Sequence, residues 1–372
     1  MDSPSLTIDD FGPLPVRRPA TVAELRGLVA ESPAVYPVGG RTTLDVGLPP
    51  TKPGVAVDTT ALNAVIDYPA RDMTITVQAG ITVAALQAVL AKEGQWLPID
   101  VANPERATIG GAVALNKSGP RRFGFGTLRD YVIGISFVAD DGTEVKAGGR
   151  VVKNVAGYDL MKVQVGAVGT LGVITQVTLK VKPKPEASAA LAFGCTAGEL
   201  GAVLDLLSAS KSRPVAVEVL NRPAWPAATA DWTVLVGFAE KATTVKWQRE
   251  ALLGELKRDA ADTPADVWDR LTALQVRPES RFISKLGVRP TCVPEKLLGL
   301  PGLVHAHALN GVLWSHADDA VDGAVLRRCP VDGKKTRPVW GAPRGDWEMM
   351  RHLKRTLDPR DVFNPGRLFA EG

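Results

Sequence analysis

Hydrophobic and polar positions along the chain follow two periods, and the switches between them mark out the elements. Leu25, Leu28 and Val29 recur at helical spacing. They follow Thr21-Val22-Ala23-Glu24, a capping box in which Thr21 satisfies an orphan N–H and Glu24 reaches back. Val35-Tyr36-Pro37-Val38 predicts a short strand, as do Val55-Ala56-Val57 and Met73 to Val77. A helix opens near Thr82 and stops at Gly94, a natural residue just past a helix end. Val132 to Val138 reads as an apolar strand. Asp141-Gly142 signals a type I′ hairpin turn that returns through Thr143-Glu144-Val145. Val173 to Val181 alternates like a half-buried strand.

Lys182-Pro183-Lys184-Pro185 is stiff and polar and reads as a boundary. Beyond it the pattern predicts strands at 189–193, 215–220, 232–238 and 303–314, with helices at 197–210 and 243–258. That order is β-α-β-β-α-β, the ferredoxin-like arrangement. The expected division is 1–183 for a first lobe, 184–330 for a cap, and 331–372 for a short basic segment that returns to the first lobe. The fold class is α+β.

A chain of 372 residues that is 45% hydrophobic can bury two cores. A net charge of +4, with no basic stripe interleaved with aromatics, argues against nucleic acid. Cys195, Cys292 and Cys329 are scattered and odd in number. They predict no disulfide framework, zinc site or iron–sulfur cluster within this chain, and fit a reducing compartment. The acidic start, Met1-Asp2-Ser3-Pro4, lacks the apolar stretch of a signal peptide. The longest uncharged stretch, Leu297 to Trp314, is broken by prolines, glycines and histidines and does not read as a membrane span. A cytoplasmic location is expected, with any membrane association made through partners.

Three glycine-rich turns carry the candidate chemistry: Pro37-Val38-Gly39-Gly40-Arg41-Thr42-Thr43, Ala107-Thr108-Ile109-Gly110-Gly111-Ala112, and Gly166 to Gly172. Glycine lets backbone N–H groups approach a bulky anion. One such turn is usually a plain tight loop; several suggest one long phosphate-bearing ligand held at several points. Neither G-x-G-x-x-G between strand and helix nor G-x-x-x-x-G-K-[ST] occurs, so the Rossmann and P-loop modes are excluded.

Gly39-Gly40-Arg41-Thr42, Thr108-Ile109-Gly110-Gly111, Arg129-Asp130-Tyr131-Val132 and Gly169-Thr170-Leu171-Gly172-Val173-Ile174 resemble the FAD-binding segments of the vanillyl-alcohol oxidase (PCMH-type) flavoproteins. Lys153-Asn154-Val155-Ala156-Gly157-Tyr158-Asp159-Leu160 and Phe363-Asn364-Pro365-Gly366-Arg367-Leu368 add to the match, which spans nearly the whole chain. The resemblance implies a two-subdomain FAD-binding lobe with a small ferredoxin-like cap. It implies that the first two turns cradle the pyrophosphate, with hydroxyls from Thr42, Thr43 and Thr108. Gly172, Val173 and Ile174 then meet the adenosine or ring edge, and Asn116, Ser118 and Gly119 line the flavin side. Pro104, Ala114, Arg129, Asp130, Val132, Lys153, Asn154, Gly157, Tyr158, Asp159 and Asn364 complete the implied set. Some relatives attach flavin through a histidine in the first turn. This chain has Arg41-Thr42 there, so non-covalent FAD is expected.

The same resemblance implies a glycolate oxidase-type subunit that oxidises a small 2-hydroxy acid, such as glycolate or D-lactate, by hydride transfer to flavin, or that relays the electrons. The partners implied are a larger flavoprotein subunit and an iron–sulfur subunit. A non-catalytic FAD-binding scaffold and a stand-alone flavin alcohol oxidase stay open. The family's metal segments are only partly retained, in His305-Ala306-His307-Ala308-Leu309-Asn310-Gly311. Two histidines fall short of the three or four ligands a metal needs. No metal site is expected, and His305 and His307 read first as a packed pair on one strand face. Arg281, Lys285 and Arg289, like Arg327, Arg328, Lys334, Lys335 and Arg337, read first as solvated surface charge, although a carboxylate substrate or an acidic partner could meet either group. The catalytic candidates are His305, His307 and Arg289.

Overall fold

The computed structural model describes residues 4–149, 159–228 and 230–369. The first sheet holds β1 (Ser5–Ile8), β2 (Phe11–Arg17), β3 (Val35–Val38) and β4 (Val55–Asp58), in the order β1-β2-β4-β3. Helix α1 (Val22–Glu31) precedes β3, and β4 runs parallel to both β2 and β3. The Thr21 hydroxyl accepts from the Glu24 N–H as the capping box predicts. The Glu24 carboxylate accepts one residue earlier than the motif requires, from Ala20. The β1–β2 pair is additional to the predicted elements, because Pro13 and Pro15 break up its pattern.

Next in the chain come β5 (Val65–Asp67), β6 (Thr74–Gln78), α2 (Val83–Ala91), β7 (Gln95–Trp96), α3 (Ile109–Ala114), α4 (Arg122–Phe125) and α5 (Leu128–Tyr131). They are followed by β8 (Val132–Val138), β9 (Glu144–Gly148), α6 (Met161–Gln164), β10 (Val173–Lys180) and β11 (Lys182–Pro183). Five of these strands form an antiparallel sheet, β5-β6-β10-β8-β9. Helix α1 fills the space between the two sheets. Its Leu25 and Val29 pack with Val57 of the first sheet and with Val138 and Val173 of the second. The β8–β9 turn corrects the type I′ expectation. Asp141 is not among the positive-φ residues, whereas Gly142 is at φ +83°. Ala139 and Thr143 close a three-residue loop, the kind that ends on a left-handed glycine.

The cap holds β12 (Ala187–Cys195), α7 (Leu200–Ala209), β13 (Ala216–Asn221), β14 (Trp232–Glu240), α8 (Ala242–Leu256), β15 (Ala261–Asp262) and α9 (Val267–Leu274). Then follow β16 (Phe282–Gly287), α10 (Val293–Leu298), β17 (Leu303–His307), β18 (Val312–Ala317) and β19 (Val325–Arg328). One eight-stranded sheet results, β15-β12-β14-β13-β17-β18-β16-β19. The ferredoxin-like unit is present, but its fourth strand is the two-residue β15 beside β12, not 303–314. That segment is two strands, because Gly311 turns the chain at φ +65°. Together with β16 and β19 they widen the sheet beyond β13.

After α11 (Val331–Thr336) and α12 (Trp347–Leu357) the chain returns to the first sheet. Val35 donates to the Val362 carbonyl and Asn364 donates to the Val35 carbonyl, so Phe363 lies parallel to β3. Buried charge locks this return. Asp9 accepts from Arg367 at 2.7 Å and from Lys334 at 2.8 Å. The same guanidinium donates to the carbonyls of Leu44, Val46 and Leu48. Lys334 is therefore not surface charge. Removing one partner of a buried ion pair leaves the other uncompensated. Arg367→Met is expected to lower the unfolding free energy by about 3–5 kcal/mol in urea denaturation.

Candidate functional site

A cleft lies between the two sheets of the first lobe. The three glycine turns converge on it. The first turn follows β3, the second opens α3, and the third leads into β10. A Cβ on Gly40 would stand 1.7 Å from the Arg106 carbonyl oxygen, and one on Gly39 would stand 2.2 Å from the Thr108 hydroxyl. Only glycine permits this approach of one turn to the other. Among the described residues, the backbone N–H groups of Gly40, Arg41, Thr42 and Thr43 donate to no protein acceptor. A run of free amides at the wall of a cleft suits an anionic ligand. Arg41 pairs sideways with Asp58 at 3.2 Å, which leaves its backbone to the cleft.

Pro37, Val38, Gly39, Gly40, Arg41, Thr42, Thr43, Thr108, Gly110, Gly111, Ala114, Gly172, Val173, Ile174 and Asn364 all line this cleft. Asn364 also ties the third turn, donating to the Val168 carbonyl at 2.8 Å. Others lie elsewhere. Ile109 is core, and Gly119 packs on the Asp100 side chain. Asp130 caps α5 by accepting from the Thr127 N–H, Arg129 donates to the Lys162 carbonyl, and Val132 begins β8. Pro104 accepts from the Ala84 N–H. Asp159 and Arg129 border a separate depression beside Lys162. Lys153, Asn154, Gly157 and Tyr158 lie outside the described residues.

The cleft opens into a second cavity between the first lobe and the cap, sharing Thr42, Thr43, Val46, Leu115 and Lys117 with it. Asn116 and Ser118 are on its first-lobe wall. The cap supplies Gln275, Val276, Ile283, Lys285, Trp314, Arg327 and Arg328. Arg327 is aimed by a bulge: Ile283 pairs with Arg328 and Ser284 with Leu326, which leaves Arg327 unpaired in the ladder. Lys285 sits over the Trp314 ring. Burial, with Arg327 nearby, pushes Lys285 down to about 7 and Lys117 to about 8. Burial also lowers Arg327, opposed by Asp45. Reading Lys285 and Arg327 as solvated charge is thus corrected, because strand register turns both inward. Arg281 and Arg289 remain exposed.

His305 and His307 are buried on one face of β17, with ring centres 6.2 Å apart. His305 stacks on Trp314, and neither of its ring nitrogens finds a hydrogen-bond partner among the described residues. His307 contacts Glu218 through Nδ1 at 2.8 Å. Burial pushes His307 down to about 3 and raises Glu218 well above the ordinary carboxylate range. No group of three or more metal-ligating side chains occurs among the described residues. Lys117, Leu44, Val46 and Arg367 also line the cleft and were not among the predicted ligands. Lys117 stands between Asn116 and Ser118, two of the predicted residues, and that position was its signal.

The model of the FAD binding domain matches residues 13–148, and that of the FAD linked oxidase C-terminal domain matches residues 339–368. The chain is 33% identical over 398 residues to glycolate oxidase subunit GlcD of Bacillus subtilis, covering 91% of this chain and 84% of that one. The chain belongs to the FAD-linked oxidase family. It is 29% identical over 366 residues to glycolate oxidase subunit GlcE of Escherichia coli, covering 95% of this chain and 97% of the relative. An archaeal D-lactate dehydrogenase, from Archaeoglobus fulgidus, is 25% identical over 90% of this chain and 85% of its own. Alkyldihydroxyacetonephosphate synthase shares the fold, with a TM-score of 0.68 at 21% identity over 94% of this chain and 75% of that one. The PCMH-type fold and the FAD cofactor of the family agree with a cleft walled by free amides. Gly40→Ala is expected to push the two turns apart and abolish flavin retention. The ratio of flavin to protein absorbance after gel filtration measures it, and an unchanged ratio would exclude this packing from cofactor binding.

Proposed function

We propose that this FAD-linked oxidoreductase binds FAD non-covalently along the cleft and oxidises a small 2-hydroxy acid, of the glycolate or D-lactate kind, in the adjoining cavity. Its place is as the FAD-binding subunit of a glycolate oxidase-type complex. The free amides of Gly40 to Thr43 hold the diphosphate, with Thr108 and Asn364 among the flanking residues. The division at about 183 and about 330 places the cofactor in the first lobe and the cavity under the cap. When bound, FAD supplies a two-electron acceptor.

The observation that carries the reading is the cationic cavity at the end of the cleft. Lys117, Lys285 and Arg327 meet there, and the two carboxylates lining it are already paired, Asp45 with Arg328 at 3.4 Å and Asp100 with Arg121 at 2.8 Å. Three mutually repelling cations in a partly desolvated space favour an entering anion. Arg327 presents a planar fork suited to a carboxylate, and the two ammonium groups add donors. The cap covers part of this end, and partial desolvation strengthens each contact.

Onward electron transfer needs an acceptor. The three cysteines are isolated from one another in the sequence and free, so a partner with iron–sulfur clusters and a larger flavoprotein subunit are proposed. No helix among the described residues is long and apolar enough to cross a membrane. A cytoplasmic location, with membrane contact only through partners, is proposed on the same footing.

Acid precipitation of the purified yellow protein is expected to release all its FAD; flavin remaining in the pellet would contradict non-covalent binding. The Lys285 charge predicts a pH dependence. It is present below about 7 and lost above, so carboxylate affinity is expected to fall from about pH 6 upward, with Lys117 adding to the fall near pH 8, by at most about tenfold per pH unit for each ammonium. Calorimetric titration with glycolate measures it. Lys285→Met is expected to bind more weakly and to flatten the profile around pH 7. A wild-type profile flat over this range would remove Lys285 from the anion site.

A further inference from the structure

The cap carries a hydrogen-bonded chain that reaches the cavity and is not needed to hold a carboxylate. Glu218 and His307 stand opposite each other in the β13–β17 ladder, both buried. His307 Nδ1 lies 2.9 and 2.8 Å from the two Glu218 oxygens. The other ring nitrogen, Nε2, lies 3.4 Å from the Gln275 side-chain nitrogen. That nitrogen also donates to the Ser118 carbonyl at 3.2 Å, across from cap to first lobe.

Elementary hydrogen-bond chemistry fixes the order. A backbone carbonyl only accepts, so the amide NH2 of Gln275 is the end facing Ser118 and His307. His307 Nε2 then accepts, and Nδ1 carries the proton and donates to Glu218. Burial favours the neutral carboxyl at Glu218, whose carbonyl oxygen accepts from Nδ1. The remaining end of the amide, Oε1, accepts no hydrogen bond among the described residues, and Gln275 lines the cavity.

Most other polar groups of the lining either only donate or are already engaged. Lys117, Lys285, Arg327 and Arg328 only donate. Asp45 and Asp100 accept from Arg328 and Arg121, the Thr42 and Ser118 hydroxyls accept from Lys117 and Arg122, and Asn116 accepts from the Arg129 N–H, while the Thr43 hydroxyl is a second group open to a ligand. A carboxylate satisfies donors; a hydroxyl also needs an acceptor. We infer that Gln275 Oε1 accepts a hydrogen bond from the hydroxyl of the bound 2-hydroxy acid, with Glu218 and His307 as positioning residues that hold the amide the right way round. Gln275 would then be what separates a hydroxy acid from the same acid without its hydroxyl. The inference rests on the substrate reading above and goes further, since anion binding alone makes no such distinction.

The test uses the full chain with FAD bound and calorimetric titration with glycolate and with acetate, which differ by one hydroxyl. The wild type is expected to bind glycolate at least about tenfold tighter than acetate, the scale of one well-made hydrogen bond. Gln275→Met is expected to bring glycolate down to the affinity of acetate while leaving acetate unchanged. Glu218→Gln, whose amide carbonyl still accepts from Nδ1, is expected to keep the preference. Glu218→Leu is expected to lose most of it, again with acetate unchanged. Equal wild-type binding of the two acids, or an intact preference in Gln275→Met, overturns the hydroxyl contact and leaves the anion site standing. Failure of the wild type to bind either acid overturns the substrate reading itself. The wild-type comparison needs no substitution, so it holds even if a variant does not fold.

Discussion

The architecture depends on two stretches of backbone meeting where no side chain can stand between them. The turn at Gly39-Gly40 rests on the Arg106 carbonyl and the Thr108 hydroxyl. This contact joins the end of a strand in the first sheet to the start of the helix that packs on the second. It fixes the separation of the subdomains, and so the width of the cleft. It also leaves the amides of the following residues without protein acceptors, and a polar group left so must find a partner outside the chain. A structural economy of atoms at one turn thus creates the cofactor's seat.

Charge divides the molecule in a complementary way. Where the chain returns to the first lobe, Arg367 and Lys334 are buried against Asp9 and a row of carbonyls. There the protein supplies its own anions, and the result is a lock. At the far end of the cleft Lys117, Lys285 and Arg327 are set into a cavity whose two carboxylates, Asp45 and Asp100, are already paired with Arg328 and Arg121. There the missing anion has to arrive from solution. The same residue types serve anchorage in one place and recognition in the other, and neighbouring carboxylates decide which.

Much of the fold was legible in the sequence. Val132 to Val138 and Val173 to Val181 fell where strands lie, because buried strands of an antiparallel sheet keep their apolar pattern. The ferredoxin-like order held, but its fourth strand was placed too late. Ala261-Asp262 is too short and too polar to carry a strand pattern, whereas 303–314 carries two strands' worth of it. The first-turn residues were visible as glycines with threonines behind them. Arg129-Asp130 and Gly119 also belonged to recognisable segments, yet the chain uses them for a helix cap, a carbonyl contact and close packing rather than for the cleft wall.

By itself the sequence determined the local events: where helices start, which strands are apolar, and which turns require glycine. These follow from neighbours a few residues apart, through sterics and hydrogen bonding along the backbone. Only the tertiary structure decided which charges face water. Lys285 and Arg327 look like Arg289 and Arg337 in a string of letters. A bulge in one strand and the register of another turned the first two into a shared cavity, and no local rule encodes that turn. The same holds for Glu218, His307, Gln275 and Ser118, which lie far apart in the chain and become a connected set only when the cap folds and settles on the first lobe.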